Sequence, residues 1–279
     1  MSVTDLLVGL VRETSSALPE DVLEALVRAR RREKAGSCAA VVLKTILDNC
    51  KLAATRGTPL CQDTGTLTFF VDERLRRKVT PAVLKRAVAR ATELGCLRKN
   101  TIDAVTGKSY DDNCADGAPV VHYVAAGEGA PKVTLVMKGG GSENMSRQYS
   151  LPDAALGAGR DLAGVRRCVL DAVQKIQGYG CAPGILGVCV GGDRATGYEV
   201  AKEQLLRPLG DVAGGELGGL EKKLLREANG LGIGPMGLGG RTTLLGVKVA
   251  ARPRVPASFF VTVAYMCWAC RRRSLEILP

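Results

Sequence analysis

The chain has 279 residues, enough to bury a real core as one large domain or two small ones, and its 46% apolar and 24% charged residues exclude general disorder. No stretch approaches the roughly 20 uninterrupted apolar residues of a membrane span, so a membrane-embedded protein is excluded. The formal charge of +11 suits any polyanion, but aromatics are 4% and no finger, helix-turn-helix or aromatic-basic motif occurs, which argues against a nucleic-acid partner.

The opening, MSVTDLLVGLVRETSS, breaks its apolar run at Asp5 and Arg12 without a basic lead, so no secretory signal is expected and the protein reads as cytoplasmic. Apolar residues recurring at three and four predict helices over 3–17, 21–33 and 37–54, a helical N-terminal portion of about 1–56. Pro19 precedes the second helix, with Glu20 and Asp21 suited to its first turn. The Arg-rich run at 28–34 reads as a solvated face. A Gly-Thr-Pro turn at 57–59 leads to CQDTGT, beginning at Cys61, and then to a strand over 67–71. Thr80 caps a helix with Pro81 in its first turn, running to about residue 95.

From Gly117 the pattern changes to strands, at 119–125 and 132–137, the second ending in KGGGSEN from Lys138. A helix over 161–177, a buried strand over 184–190 and a helix over 195–206 follow. Residues 211–240 are Gly-rich around one charged helix, and strand character returns at 242–250 and 258–266. No internal repeat or linker is evident. The reading is a mixed α/β fold, a helical N-terminal part followed by β-sheets covered by helices, as a single large domain over 1–279.

Ten cysteines without an export signal point to buried thiols, metal ligands or redox chemistry rather than to a disulfide framework. They are scattered, with Cys267 and Cys270 as the one CxxC pair, so a two-knuckle zinc ribbon is not encoded. Three loops carry chemistry-bearing atoms on turns: CQDTGT at Cys61, KGGGSEN at Lys138 and GYGCAPG around Cys181. A triple glycine after a strand lets backbone amides approach an anion, and Lys138 adds positive charge; the plainer reading is a tight turn. No P-loop or GxGxxG order is present. Cys61 beside Gln62 and Asp63 sets a soft ligand next to an amide and a carboxylate, useful for holding iron while handling a proton. Any one of these cysteines taken alone reads as a small buried hydrophobe.

Taken in order, CQDTGT, KGGGSEN, GCAPGILG with GGDRATGYEVAKEQLLRPL, MGLGGRTT and VAYMCWACRRR resemble the alpha subunit of the class I fumarase and L-tartrate dehydratase family of iron-sulfur hydro-lyases, from about Cys61 to Arg273. The resemblance implies a 4Fe-4S cluster on Cys61, Cys181 and Cys267 with one iron lacking a protein ligand, the other cysteines being structural. It implies reversible hydration of a small dicarboxylate, fumarate or malate favoured and tartrate the other possibility. Gln62 and Asp63 then contact substrate, with Asp63 a proton-transfer residue; Arg98 and Lys138 meet carboxylate charge, and Gly140 and Gly141 offer amides. The family's further arginine, lysine and base-threonine lie on a beta-type portion that a 279-residue chain ends before. A beta subunit and an alpha2beta2 hetero-oligomer are therefore implied.

The chain departs from that pattern at two places. The family's His-Arg-His-Pro-Ala-Ser-like segment reads Pro253-Arg254-Val255-Pro256-Ala257-Ser258, losing both histidines, with Arg254 the nearby residue able to replace the donor. The Asn-Thr-Gly-Asp-Asn-Thr-Pro turn reads Asn113-Cys114-Ala115-Asp116-Gly117-Ala118-Pro119. His122, the one histidine, reads as a strand residue. A cluster-binding but catalytically weak paralogue, acting as a partner or regulatory subunit, is the second reading.

Overall fold

The computed structural model describes residues 2–278. In chain order the elements are α1 (Val3–Ser16), α2 (Glu20–Arg32), α3 (Cys38–Arg56), β1 (Thr66–Asp72), α4 (Pro81–Glu93), β2 (Thr101–Ile102), β3 (Ser109–Tyr110), β4 (Val120–Val124) and β5 (Lys132–Lys138). Then follow α5 (Gly140–Asn144), β6 (Arg147–Ser150), α6 (Leu162–Ile176), β7 (Gly184–Gly191), α7 (Arg194–Gln204), α8 (Gly215–Gly230), β8 (Leu244–Arg252), β9 (Phe260–Met266) and β10 (Arg271–Glu276). The mixed α/β class read from the sequence is borne out, with three helices first and helix-covered sheets after them. Among the described residues no helix is long and apolar enough to cross a membrane.

Local signals place most of these boundaries. Ser2 and Asp5 form a reciprocal capping box that starts α1. Acidic Glu20 and Asp21 open α2 and Arg30, Arg31 and Arg32 close it, both favourable to the helix dipole. The Arg-rich face of α2 is exposed as expected, but Glu33 just beyond it is buried and accepts the Arg241 and Thr242 amides at 2.9 and 3.0 Å. Thr80 caps α4 ahead of Pro81, and Asp161 caps α6.

Two compact units divide the chain. The first holds Met1–Pro19, Asp48–Gly140 and Ala269–Pro279. Its four-stranded sheet runs β10-β5-β1-β4, with β1 antiparallel to β5 and parallel to β4. Leu67, Phe69 and Val71 on β1 share a face with Met137, Leu135 and Val133 on β5, and these pack against Leu7, Leu10 and Val11 of α1 and Leu84, Ala87 and Val88 of α4. One end of this sheet receives CQDTG before β1, Lys138 at the close of β5 and Cys270 before β10, because β1 opens opposite the last residue of β5 and β10 opens opposite Met137.

The second unit holds Glu20–Leu47 and Gly141–Trp268, with a sheet ordered β6-β9-β7-β8. Strand β7 is buried on both faces, which is why it reads as an uninterrupted apolar run. The apolar cluster on one face draws on α6 and α8, while α7 packs against β7 and β9. Strands β7 and β8 are parallel and β9 is antiparallel to β7, so Cys181 ahead of β7, Thr243 ahead of β8 and Cys267 after β9 arrive at one sheet end.

Five elements escaped the sequence reading, among them the short antiparallel pair β2 and β3. Strand β10 opens with Arg271, Arg272 and Arg273 and has no apolar alternation; it forms as the edge strand on β5. The residues after Lys138 coil into the short α5 rather than an open turn, and β6 adds to the edge of β9.

Candidate active site

In the first unit Asp63 is the organising side chain. Its Oδ1 accepts from Asn100 Nδ2 at 3.0 Å and its Oδ2 from the Gly140 amide at 2.8 Å. The CQDTG turn rests on the backbone of Lys138 and Gly139: Gly65 has φ +71° and a Cβ there would collide with the Lys138 carbonyl, so no other residue fits. Cys61 is half-buried, and its Sγ receives the Asp63 N–H at 3.4 Å. Gln62 and Arg98 are exposed, Lys138 is buried, and Gly141 is exposed on α5. The Gly140 amide, expected to face a ligand, is instead taken by Asp63.

Residues 98–101 are shaped by a side chain that the motifs did not reveal. Asn113, buried and with φ 60°, accepts from the Asn100 and Thr101 amides at 2.7 and 3.1 Å and donates to the Arg98 carbonyl at 3.0 Å and to Thr92 Oγ1 at 3.1 Å. Thr64 Oγ1 donates to the same Arg98 carbonyl at 2.7 Å. Asn is the residue most at home at positive φ apart from Gly, and that was the available signal. Beside this network a cleft of about 280 Å³ is lined by Gly65, Asn100, Thr101, Asn113, Pro119 and Gly140.

In the second unit the loops carrying Cys181 and Cys267 are joined by backbone, the Trp268 amide donating to the Cys181 carbonyl at 3.2 Å. Cys181 has φ 51° and Cys267 is half-buried. Residues 142–146 brace the second loop and the end of β9 before it: Ser142 Oγ accepts the Cys267 amide at 3.1 Å, and Ser146 Oγ accepts the Tyr265 amide at 3.2 Å. Tyr265, 1% exposed, has a hydroxyl without a hydrogen-bond partner. Burial, together with the nearby Cys267 and Cys181 thiols, pushes its phenol well up.

The cysteines sort by environment. Burial pushes Cys50, Cys168 and Cys189 up to about 11, the state of inert packing thiols, and Cys114 rises equally through burial and Asp112. Cys61, Cys181 and Cys267 are instead half-buried at loop positions, whereas Cys270 is fully buried; no disulfide joins any of the ten. Within each unit, among the described residues, no three His, Cys, Asp or Glu side chains gather as a metal-ion site. The donor chemistry nonetheless fits an iron-sulfur group: Cys61 lies in the first unit under an amide N–H, and Cys181 and Cys267 lie in the second on linked loops beside an unpaired phenol.

The segment that lost its histidines is accounted for locally. Arg254 Nη1 donates to the carbonyls of Val255, Pro256 and Ser258 and the guanidinium lies 4.6 Å over the Phe259 ring, so the side chain is folded back on its own loop. His122 stacks on Phe70 at 5.3 Å across the parallel β1–β4 pair.

Comparison with known proteins agrees with these features. The family model described as fumarate hydratase (Fumerase) matches residues 4–276. The chain is 48% identical over 279 residues to a Geobacillus stearothermophilus protein named as a class I fumarate hydratase, covering 97% of this chain but 54% of that protein, so it spans about half of that relative's length. It is 32% identical to a Methanocaldococcus jannaschii protein named as an L(+)-tartrate dehydratase subunit alpha, covering 98% of this chain and 96% of the relative. To the L(+)-tartrate dehydratase subunit alpha of Escherichia coli K12 it is 28% identical, covering 99% and 90%. On the match across almost its whole length, the chain belongs to the fumarate hydratase (Fumerase) family.

Proposed function

We propose that this chain is the alpha-type part of an iron-sulfur hydro-lyase that adds water to, or removes it from, a small dicarboxylate, with fumarate and malate favoured over tartrate. The higher identity to the relative named as a fumarate hydratase supports that order of substrates. The observation that carries the reading is the Asp63 carboxylate, two residues beyond Cys61 and two before cleft-lining Gly65, held by Asn100 and the Gly140 amide, which both line the cleft.

Cys61, Cys181 and Cys267 would hold the 4Fe-4S cluster, which when bound supplies an iron open to a substrate oxygen as a Lewis acid. The chain's own residues do the rest. Each Asp63 oxygen has one lone pair engaged and one remaining, so the carboxylate is fixed in rotation and can exchange a proton at the substrate. Exposed Gln62 and Arg98 are the groups available to bind a carboxylate, Arg by its planar fork, and Lys138 supplies positive charge at the end of β5. Gly141 offers an amide. A separate beta subunit completes the site in an alpha2beta2 assembly, in keeping with the names of the relatives that this chain nearly spans. A reducing, cytoplasmic setting suits three cysteines serving as thiolates.

The second reading, a cluster-binding but catalytically weak paralogue, is favoured by one observation: Arg254, the nearby residue able to replace the lost donor, is folded back on its own loop. Anaerobic co-expression with a beta-type chain of the family, followed by iron and sulfide analysis and hydration assays on fumarate and tartrate, tests both. The hydro-lyase reading expects iron at four per alpha chain and turnover. Iron without turnover selects the paralogue, and a chain that binds no iron overturns both.

A further inference from the structure

The Tyr265 side chain poses a problem that packing alone does not answer. Its ring lies in the apolar cluster under α6 and α8, continuing the face of Val261 and Val263, and a Phe would fill that role. The hydroxyl is buried with no partner, a state that folded cores avoid. The neighbouring chain has been cleared for it: a Cβ at Gly180 or Gly184, on either side of Cys181 and its Ala-Pro, would strike the ring, and at Gly184 the hydroxyl as well. Two residues on, just past the end of β9, Cys267 packs against the same cluster, and both thiols lie within electrostatic reach of the phenol.

Resting on the cluster reading above, we propose that Tyr265 is a positioning residue whose phenol donates a hydrogen bond to the sulfur shell of the cluster held by Cys181 and Cys267. A hydrogen bond to cluster sulfur withdraws electron density and raises the reduction potential. The glycines at 180 and 184 admit the ring so that its O–H meets sulfur rather than protein.

Wild type and Tyr265→Phe, each loaded anaerobically with the beta-type chain present, are compared by iron content, by resonance Raman in H2O and D2O, and by reduction potential. With equal iron, the wild-type Fe–S bands shift on deuteration, the shift disappears in Tyr265→Phe, and the potential of the variant falls. Equal iron with coincident bands and potentials overturns the proposal and leaves the cluster reading standing. A wild type without iron overturns both. Should Tyr265→Phe lose its iron, 3-fluorotyrosine placed at 265 decides the matter: a more acidic donor raises the potential if the bond exists, and an unchanged potential overturns the proposal.

Discussion

The Gly140 amide donates to the Asp63 carboxylate at 2.8 Å, joining two glycine-bearing loops 77 positions apart in the chain. A residue expected to bind ligand through its backbone instead fixes the acid beside it. The family motifs at these two places are therefore interdependent: the triple glycine is the receptacle for the aspartate, since at Gly139 a side chain would press on the same Oδ2 at 2.7 Å.

Asp63→Asn places an amide NH2 against either Asn100 Nδ2 or the Gly140 N–H, donor facing donor. Turnover falls by ~10²–10⁴ for loss of a proton-transfer group, while bound iron stays at the wild-type level. Steady-state kinetics beside iron analysis check this; normal turnover removes Asp63 from the mechanism.

Asn113→Ala strips five hydrogen bonds from a buried position and leaves the Arg98 to Thr101 backbone without its brace. Destabilisation of ~2–3 kcal/mol is expected for the unsatisfied groups that remain. Asn113→Gly relieves the positive φ but not the missing bonds, so it recovers a fraction of the loss. Urea unfolding of both variants reads the difference.

Gly184→Ala drives a methyl into the Tyr265 ring, an overpacking cost of ~1–3 kcal/mol. Tyr265→Leu in the same chain relieves it, so the double variant is more stable than the sum of the single changes predicts. Additive denaturation midpoints would show that the two residues do not share that space.

On the proposed cluster, Cys267→Ser is expected to empty the chain of iron, as is the same change at Cys61 or Cys181. Cys168→Ser and Cys189→Ala leave iron content unchanged, because those thiols are sealed in apolar packing. Colorimetric iron on anaerobically purified variants separates the two groups.

Hydrogen bonds from Arg74 hold the Asp72 carboxyl down to about 2. Its folded value lies below the unfolded one of ~3.9, so the unfolded chain binds more protons in that interval, and stability from this pair is present above pH ~4 and lost as pH falls through about 2. Asp72→Asn therefore melts lower than wild type at neutral pH, and the gap closes toward pH 2. Thermal melts across that range check the sign.

The elements legible in the sequence are those with a local cause. Thr80 with Pro81, Asp161 ahead of its amphipathic run, and the unbroken apolar stretch of β7 each carry their signal within one or two turns of chain. Strand β10 carried none, because its three arginines become strand only by pairing with β5. The ordered motifs offer Cys61, Asp63, Cys181 and Cys267 as candidate site residues, since glycines, cysteines and an acid at set spacings are visible without a fold.

Sequence alone thus determined the class, the family likeness and the residue types on offer. Tertiary structure decided what those residues touch: that Gly140 serves Asp63, that Asn113 shapes the Arg98 segment, that Ser142 braces Cys267, and that Arg254 is turned back on its own loop. The division has a physical cause, because propensity and capping act over a few residues, whereas a hydrogen bond between positions 63 and 140 exists only once two strands have paired and brought their ends to the same edge of a sheet.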